Sequence, residues 1–379
     1  MLALAQNAAG QDKTPPEGRS FSPTQVEPTD QRIAGLKLPP GFSIDVAARD
    51  LDGARMLLVL PDGSLLVSQP NAGVVRRLFD RDGDGRYDRR APVAEGVSQA
   101  HGMVFHKQTL YLAGVVQVLA ADLGANGKLG GWRRIAELPR SSGHNRRTLA
   151  VGPTDGRLYV TVGSTCNNCA ESNPEHAAVL SMTLDGGDRR IFAKGLRNTM
   201  GFGFHPTTGE LWGMDHGSDW RGDDKPPEEL NKLMEGKDYG WPYCYMDRRP
   251  DIHSDPPKGK TREQYCAGTE GAVLGYQAHA APIGMAFYTG RMFPPEYRGD
   301  AFVAMQGSWN RYPPVGHSVV RIRFQNGQPM GFVDFLGGFL AADGKTHFGT
   351  PAGLAVDRDG SLLISDDSTG LIYRVRYAK

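Results

Sequence analysis

No apolar run in this 379-residue sequence reaches the roughly 18 residues that a membrane-crossing helix needs, so no membrane span is expected. No sign of charge dominates either. Lys and Arg number 43 against 42 Asp and Glu, a net charge of +1, which provides no electrostatic footprint for nucleic acid or another polyanion. Neither a P-loop nor a dinucleotide-binding glycine fingerprint is present, which argues against an NTPase and an NAD enzyme. The absence of G-x-S-x-G likewise argues against a serine hydrolase of the α/β type. Helical periodicity is nearly missing. The exception is PPEELNKLMEG at 226–236, which reads as a two-turn helix with proline at its start.

Cysteine is scarce, with four in the chain. Cys166 and Cys169 form a C-x-x-C pair, but Cys244 and Cys266 stand too far apart to be the second knuckle of a zinc site. Two disulfides in an exported protein are the better reading than free thiols. Four cysteines leave three connectivities open; pairing each with its nearest available partner gives Cys166–Cys169 and Cys244–Cys266. The start, MLALAQ, carries an A-x-A-like step (Ala3-Leu4-Ala5) before Gln6, in the form of the tail of a secretory signal. Together these features predict a periplasmic or secreted protein.

What the chain has in excess is glycine, 49 residues, accompanied by 26 prolines. That is about twice the usual share of glycine, and it implies many tight turns, because strand-like apolar runs recur between the glycines. Residues 1–36, rich in Pro, Gln, Thr and Ser without periodicity, read as a flexible leader. From there a unit of short strand, polar turn and β-branched strand recurs. It begins at MLLVLPDGSLLVSQPNAGVVRRL (56–78) and ends at GLAVDRDGSLLISDDSTGLIYRVRY (353–377). Six such units at a spacing of roughly 50 residues predict an all-β fold, a six-bladed β-propeller over 37–379. The last unit is one strand short, and the alternating GFSIDVAA at 41–48 is placed to supply it.

Four polar clusters sit just before predicted inner strands: AHGM (100–103), GHNRRT (143–148), GLRNTMG (195–201) and HFGTPAG (347–353). A lone His or Arg in a loop is usually satisfied by backbone carbonyls. Recurrence at one topological position instead directs all four clusters at the mouth of the central channel, where convergent polar groups serve catalysis or binding. DRDGDGRYD (80–88) has the acidic spacing of a calcium loop, but Ala91 stands at the twelfth position and no helices flank it, so it reads as a turn between strands. DHGSDWRGDDKPPEELN (215–231) and GSWNRYPP (307–314) are two further polar loops.

Taken together these segments resemble the soluble pyrroloquinoline-quinone (PQQ) dehydrogenases of the glucose/sorbosone dehydrogenase family. The resemblance runs from about residue 37 to the C-terminus. It is carried by GHNRRTLAVGPTDGRLYVTVGSTCNNC, GLRNTMGFGFHP, LNKLMEGKDYGWPYCY, APIGMAFYTG, GSWNR and GLAVDRDGSLLISDD. The C-x-x-C and G-S-W-N-R segments are closest to the sorbosone branch. The resemblance implies oxidation of a sugar, aldehyde or alcohol by hydride transfer to calcium-bound PQQ, with a cytochrome or quinone as onward electron acceptor. It makes His144 the general base and gives Arg197 and Asn198 to the quinone, with Arg197 also stabilising charge in catalysis. It assigns the calcium to the backbone carbonyls of Gly217 and Ser218, and it places Trp309, Arg311 and His101 on the cofactor or substrate wall. Two positions depart from the pattern: Thr199 stands where the family usually has proline, and Thr350 where an arginine commonly precedes the proline of the last blade. The second removes a cation expected near a PQQ carboxylate. Two other classes fit a propeller. One is a calcium-dependent hydrolase or lactonase with Asp215, Asp219 and Asp366 as donors, and the other is a ligand-binding propeller without enzymatic activity.

Overall fold

The protein is described by a computed structural model covering residues 17–378, which builds six blades of four antiparallel strands around one axis as a β-propeller, the third with a short parallel strand added at its edge. The first blade runs outward through Leu57–Val59, Leu65–Gln69, Val74–Phe79 and Arg89–Ala94. The next four begin at Met103–His106, Leu149–Val151, Thr199–Phe204 and Pro282–Phe287. The sixth consists of Pro351–Val356, Leu362–Asp366 and Leu371–Tyr377, with Phe42–Ala48 as its outer strand. Phe42 pairs with Tyr377 and Val46 with Tyr373, so the strand expected at 41–48 closes the ring.

Strand alternation explains the stacking of the blades. Successive side chains of a strand point to opposite faces. In Leu65–Gln69, Leu65 and Val67 join an apolar cluster with Leu363 and Ile372 of the sixth blade, while Leu66 joins one with Leu110 and Leu112 of the second. Leu158, Val160 and Val162 likewise face the second blade, and Tyr159 between them faces the fourth. Middle strands are therefore buried on both faces, which is why they read as mostly apolar runs without polar alternation. Each such Leu or Val contributes about 1.5–3 kcal/mol on burial.

The inner strands need glycine for a different reason. A Cβ on Gly102 would lie 2.6 Å from the Arg147 carbonyl oxygen, on Gly284 2.4 Å from that of Ala352, and on Gly353 2.0 Å from that of Arg55. Neighbouring inner strands touch at the axis there, and only a residue without a side chain fits.

Two expectations are corrected. Residues 228–233 of PPEELNKLMEG form a strand, Glu228–Leu233, and not a helix. Leu211–Asp215 and Leu274–Tyr276 offer it ladder partners on both sides, and Leu230 fills the core between the fourth and fifth blades, so tertiary pairing overrides local helix propensity. Within the stretch read as a flexible leader, residues 17–36 are seated on the propeller. Thr24–Gln25 pairs in parallel with Thr346–His347, and Ile33 of the short helix Asp30–Ala34 joins the core of the fifth and sixth blades. The signal-like step at Ala3-Leu4-Ala5 lies outside the described residues. Both expected disulfides, Cys166–Cys169 and Cys244–Cys266, are formed.

Candidate active site at the channel mouth

The segments preceding the inner strands converge as the repeat predicts. His144 and Asn198 flank Gly163, where a Cβ would lie 2.5 Å from His144 Cβ and 2.8 Å from Asn198 Oδ1, so the absent side chain lets the two approach. The His144 ring has its Nδ1 2.8 Å from Ser164 Oγ. Ser164 donates its single hydroxyl hydrogen to the Cys166 carbonyl at 2.8 Å, so it must accept from Nδ1–H. The tautomer is thereby set, and the Nε2 lone pair is left bare. Burial, reinforced by the charge of Arg197 and by His216, holds the imidazole pKa well below its ordinary value, so the ring is neutral at physiological pH.

Arg197 and Asn198 are fixed through Asp215, whose carboxylate accepts both backbone N–H groups at 2.9 Å and the Thr199 hydroxyl at 2.8 Å. Threonine in place of the family's proline thus adds a hydrogen bond that proline lacks. The Arg197 side chain donates Nε to the Asn167 carbonyl and Nη2 to Asn167 Oδ1 and Asp219 Oδ2, at 2.8–2.9 Å. Among the described residues nothing accepts from Nη1. The carbonyls of Gly217 and Ser218 also accept no hydrogen bond from the described residues, as suits metal ligands. Their loop is held by Gly217 N–H donating to buried Glu228 and by Trp241 Nε1 donating to Ser218 Oγ. Burial pushes Glu228 up to about 8. His216, between these segments, donates Nε2–H to the Pro282 carbonyl, and burial lowers its pKa to about 4.

Three further expectations fare differently. His101 is fully buried beside the mouth; its Nδ1 lies 3.1 Å from the Arg147 carbonyl and its Nε2 has no partner. Trp309 is 45% exposed at the rim, edge-on to Trp220 with centroids 5.4 Å apart. Arg311 is not one of the open cations. It donates to the Asp223 and Pro313 carbonyls and pairs with Asp224 at 2.8 Å, because the neighbouring 223–224 loop offers it acceptors.

Arg146, assigned no role from the sequence, supplies positive charge without an ion-pair partner among the described residues, and the charge of Arg55 lies near it. Arg55 pairs with Asp367, which also accepts from Gln306 Nε2 and from the hydroxyl of Thr350, the position that lacks the family arginine. Burial and the Arg55 charge lower the Arg146 pKa to about 10. Arg55 Nε, Arg146 Nε, His101 Nε2 and Asn145 Oδ1 are buried without partners. The two guanidinium Nε–H groups are orphaned donors on a cationic wall and fit an anionic, polycarboxylate group, whereas Asn145 Oδ1 and the His101 Nε2 lone pair are orphaned acceptors. Arg55 stands before an inner strand, so the positional rule that selected Arg197 also points to it. The acidic turn at 80–88 instead borders a cleft of about 580 Å³ on the flank of the first and sixth blades, away from the mouth.

Fold and site define a class: six-bladed propellers whose channel mouth combines a neutral histidine with a cationic cradle. A family profile described as TrAA12-like matches residues 36–378, and the chain belongs to that family, the PQQ-dependent sugar dehydrogenases. A pyrroloquinoline quinone-dependent sugar dehydrogenase of Hypocrea jecorina is 25% identical over 391 residues, covering 88% of this chain and 87% of that one. An uncharacterised protein of Borreliella burgdorferi is 29% identical over 362 residues, 91% of each chain. The iodide structure of the Trichoderma reesei family AA12 enzyme superposes with a TM-score of 0.79 at 25% identity, covering 90% of this chain and 98% of that one. The holo form of the pyranose dehydrogenase PQQ domain from Coprinopsis cinerea shares the fold, with a TM-score of 0.76 at 19% identity and coverage of 90% and 97%.

Proposed function

We propose that this chain is a quinoprotein dehydrogenase that oxidises a sugar, or a related aldehyde or alcohol, using PQQ and calcium at the channel mouth with His144 as general base. Within the family we assign it to the sorbosone branch, on its C-x-x-C and G-S-W-N-R segments. One observation carries the reading: the Ser164–Cys166 relay leaves His144 Nε2 bare beside Arg197 and Asn198.

PQQ bound with calcium supplies the two-electron acceptor for the hydride that leaves the substrate carbon. The residues of the chain do the rest. His144 Nε2 takes the proton of the substrate hydroxyl, a transfer worth about two to four orders of magnitude in rate. Arg197 aims fixed charge at the cofactor's anionic oxygens, and Asn198 holds it alongside. Arg55 and Arg146 provide the cationic wall that Thr350 does not. The Gly217 and Ser218 carbonyls hold calcium as hard oxygen ligands. Trp309 borders the substrate side. A cytochrome or quinone outside the cytoplasm, where two disulfides persist, would serve as the onward acceptor. The hydrolase reading loses support because Asp215 is committed to three donors and Asp219 is paired with Arg197, which leaves Oδ2 of Asp366 as the one buried carboxylate oxygen of the three residues without a partner.

The test is reconstitution. Purified apo-protein receives PQQ and calcium, singly and together, and dye reduction is followed across sugars, aldehydes and alcohols. Turnover that requires both additions is expected with at least one sugar. Dye reduction by none of the panel, or turnover without PQQ, overturns the proposal.

A further inference from the structure

The two cysteines of the third blade close a four-residue loop, 166–169, whose bonds reach both halves of the site. Asn167 uses its carbonyl and both ends of its side chain. Its carbonyl accepts Arg197 Nε at 2.9 Å, and its Oδ1 accepts Arg197 Nη2 at 2.9 Å and the Asp219 N–H at 2.7 Å. Its Nδ2 donates to the Asp219 carbonyl at 3.0 Å. The Asn167–Asp219 pair therefore exchanges two bonds, as opposite residues of a ladder do, and stitches the third blade's loop to the 216–219 loop of the fourth. Arg197 lies across the stitch, also paired with the Asp219 carboxylate. From the same loop the Cys166 carbonyl takes the hydroxyl hydrogen of Ser164 and so sets the His144 tautomer.

We propose that Asn167 is a positioning residue that clamps Arg197 to the 216–219 loop, and that the Cys166–Cys169 bridge holds it in place. The proposal rests on the PQQ reading. Only an amide side chain meets the requirement, because Oδ1 must accept from two donors while Nδ2 donates to a carbonyl. The bridge closes the loop on itself with its Cα atoms 6.1 Å apart, which limits the conformations Asn167 can sample. Preorganisation of this kind fixes a cation within the narrow tolerance that cofactor binding requires.

Wild-type protein, Asn167→Ala, Asn167→Asp and the double variant Cys166→Ser/Cys169→Ser are titrated with PQQ in calcium by quenching of tryptophan fluorescence. Amide exchange of the peptide spanning 216–221 is followed separately, without PQQ. Asn167→Ala is expected to weaken PQQ binding by about ten- to a hundredfold, as for loss of one or two charge-assisted hydrogen bonds. It should also speed exchange of the 216–221 peptide by about tenfold or more. Asn167→Asp keeps the acceptor oxygen and recovers part of both. The double serine variant repeats the Asn167→Ala pattern and adds a fall in kcat, because the Cys166 carbonyl is also released. If Asn167→Ala does not fold, Asn167→Ser takes its place. PQQ affinity within about twofold of wild type overturns the proposal, even where the melting temperature has fallen. A wild-type protein that binds no PQQ overturns the functional reading instead. The exchange measurement then judges the clamp alone, and unchanged exchange refutes it.

Discussion

His144 is neutral because its surroundings disfavour a second proton: it is buried, and Arg197 stands near. A base whose pKa is depressed stays unprotonated as pH falls through the ordinary histidine value of about 6.5. The acid limb of the kcat–pH profile of the reconstituted enzyme is therefore expected below 6.5, and a limb at or above that value would show that another group titrates. His144→Ala should lower kcat by about two to four orders of magnitude and leave PQQ affinity largely intact. Arg197→Ala should do the reverse and weaken PQQ binding, as should Arg55→Ala, since each removes a charge from the same cradle. Titration of PQQ into the three variants separates these outcomes. Thr350→Arg would bring a second cation to Asp367, already paired with Arg55, so only a modest gain in PQQ affinity is expected.

At the scale of the element, Glu228–Leu233 shows how a strand positions a loop. Glu228 is buried, and its two carboxylate oxygens accept from Gly217 N–H at 3.1 Å and Ala281 N–H at 2.9 Å. Glu228→Ala leaves both donors without partners and should cost about 2–4 kcal/mol in denaturant unfolding, with weakened calcium binding as a second sign. Glu228→Gln, which preserves an acceptor, should cost less. The bridge between Cys244 and Cys266 staples the loop that carries Trp241, itself a donor to Ser218. Replacing both cysteines with serine should lower stability by about 2–4 kcal/mol.

At the scale of the whole molecule, stability depends on ring closure. Phe42–Ala48 covers the edge of Leu371–Tyr377, where Leu371, Tyr373 and Val375 are buried. A chain begun after Ala48 exposes that edge and should fail to give a soluble monomer in gel filtration. The calcium site, by contrast, is assigned to loop carbonyls and not to the core. Chelation should abolish PQQ-dependent turnover reversibly while the far-UV circular dichroism stays unchanged.

Repetition made the propeller legible in the sequence. Six units each had to bury both faces of their middle strands, so the period, the apolar runs and the glycines at the axis are all written locally, as is the strand at 41–48 that completes the ring. That His144, Arg197 and Asn198 come together was legible for the same reason, since position within a repeat is a local property. Other features depend on neighbours distant in sequence. EELNKL is a strand because two other strands flank it. Arg311 is tied down because Asp223 and Asp224 lie beside it. Arg55 faces Asp367 across 312 positions, and Asn167 meets Asp219 across 52. A hydrogen bond between blades leaves no trace in the periodicity of either one, so the open cations and the clamp on Arg197 were decided only when the ring closed.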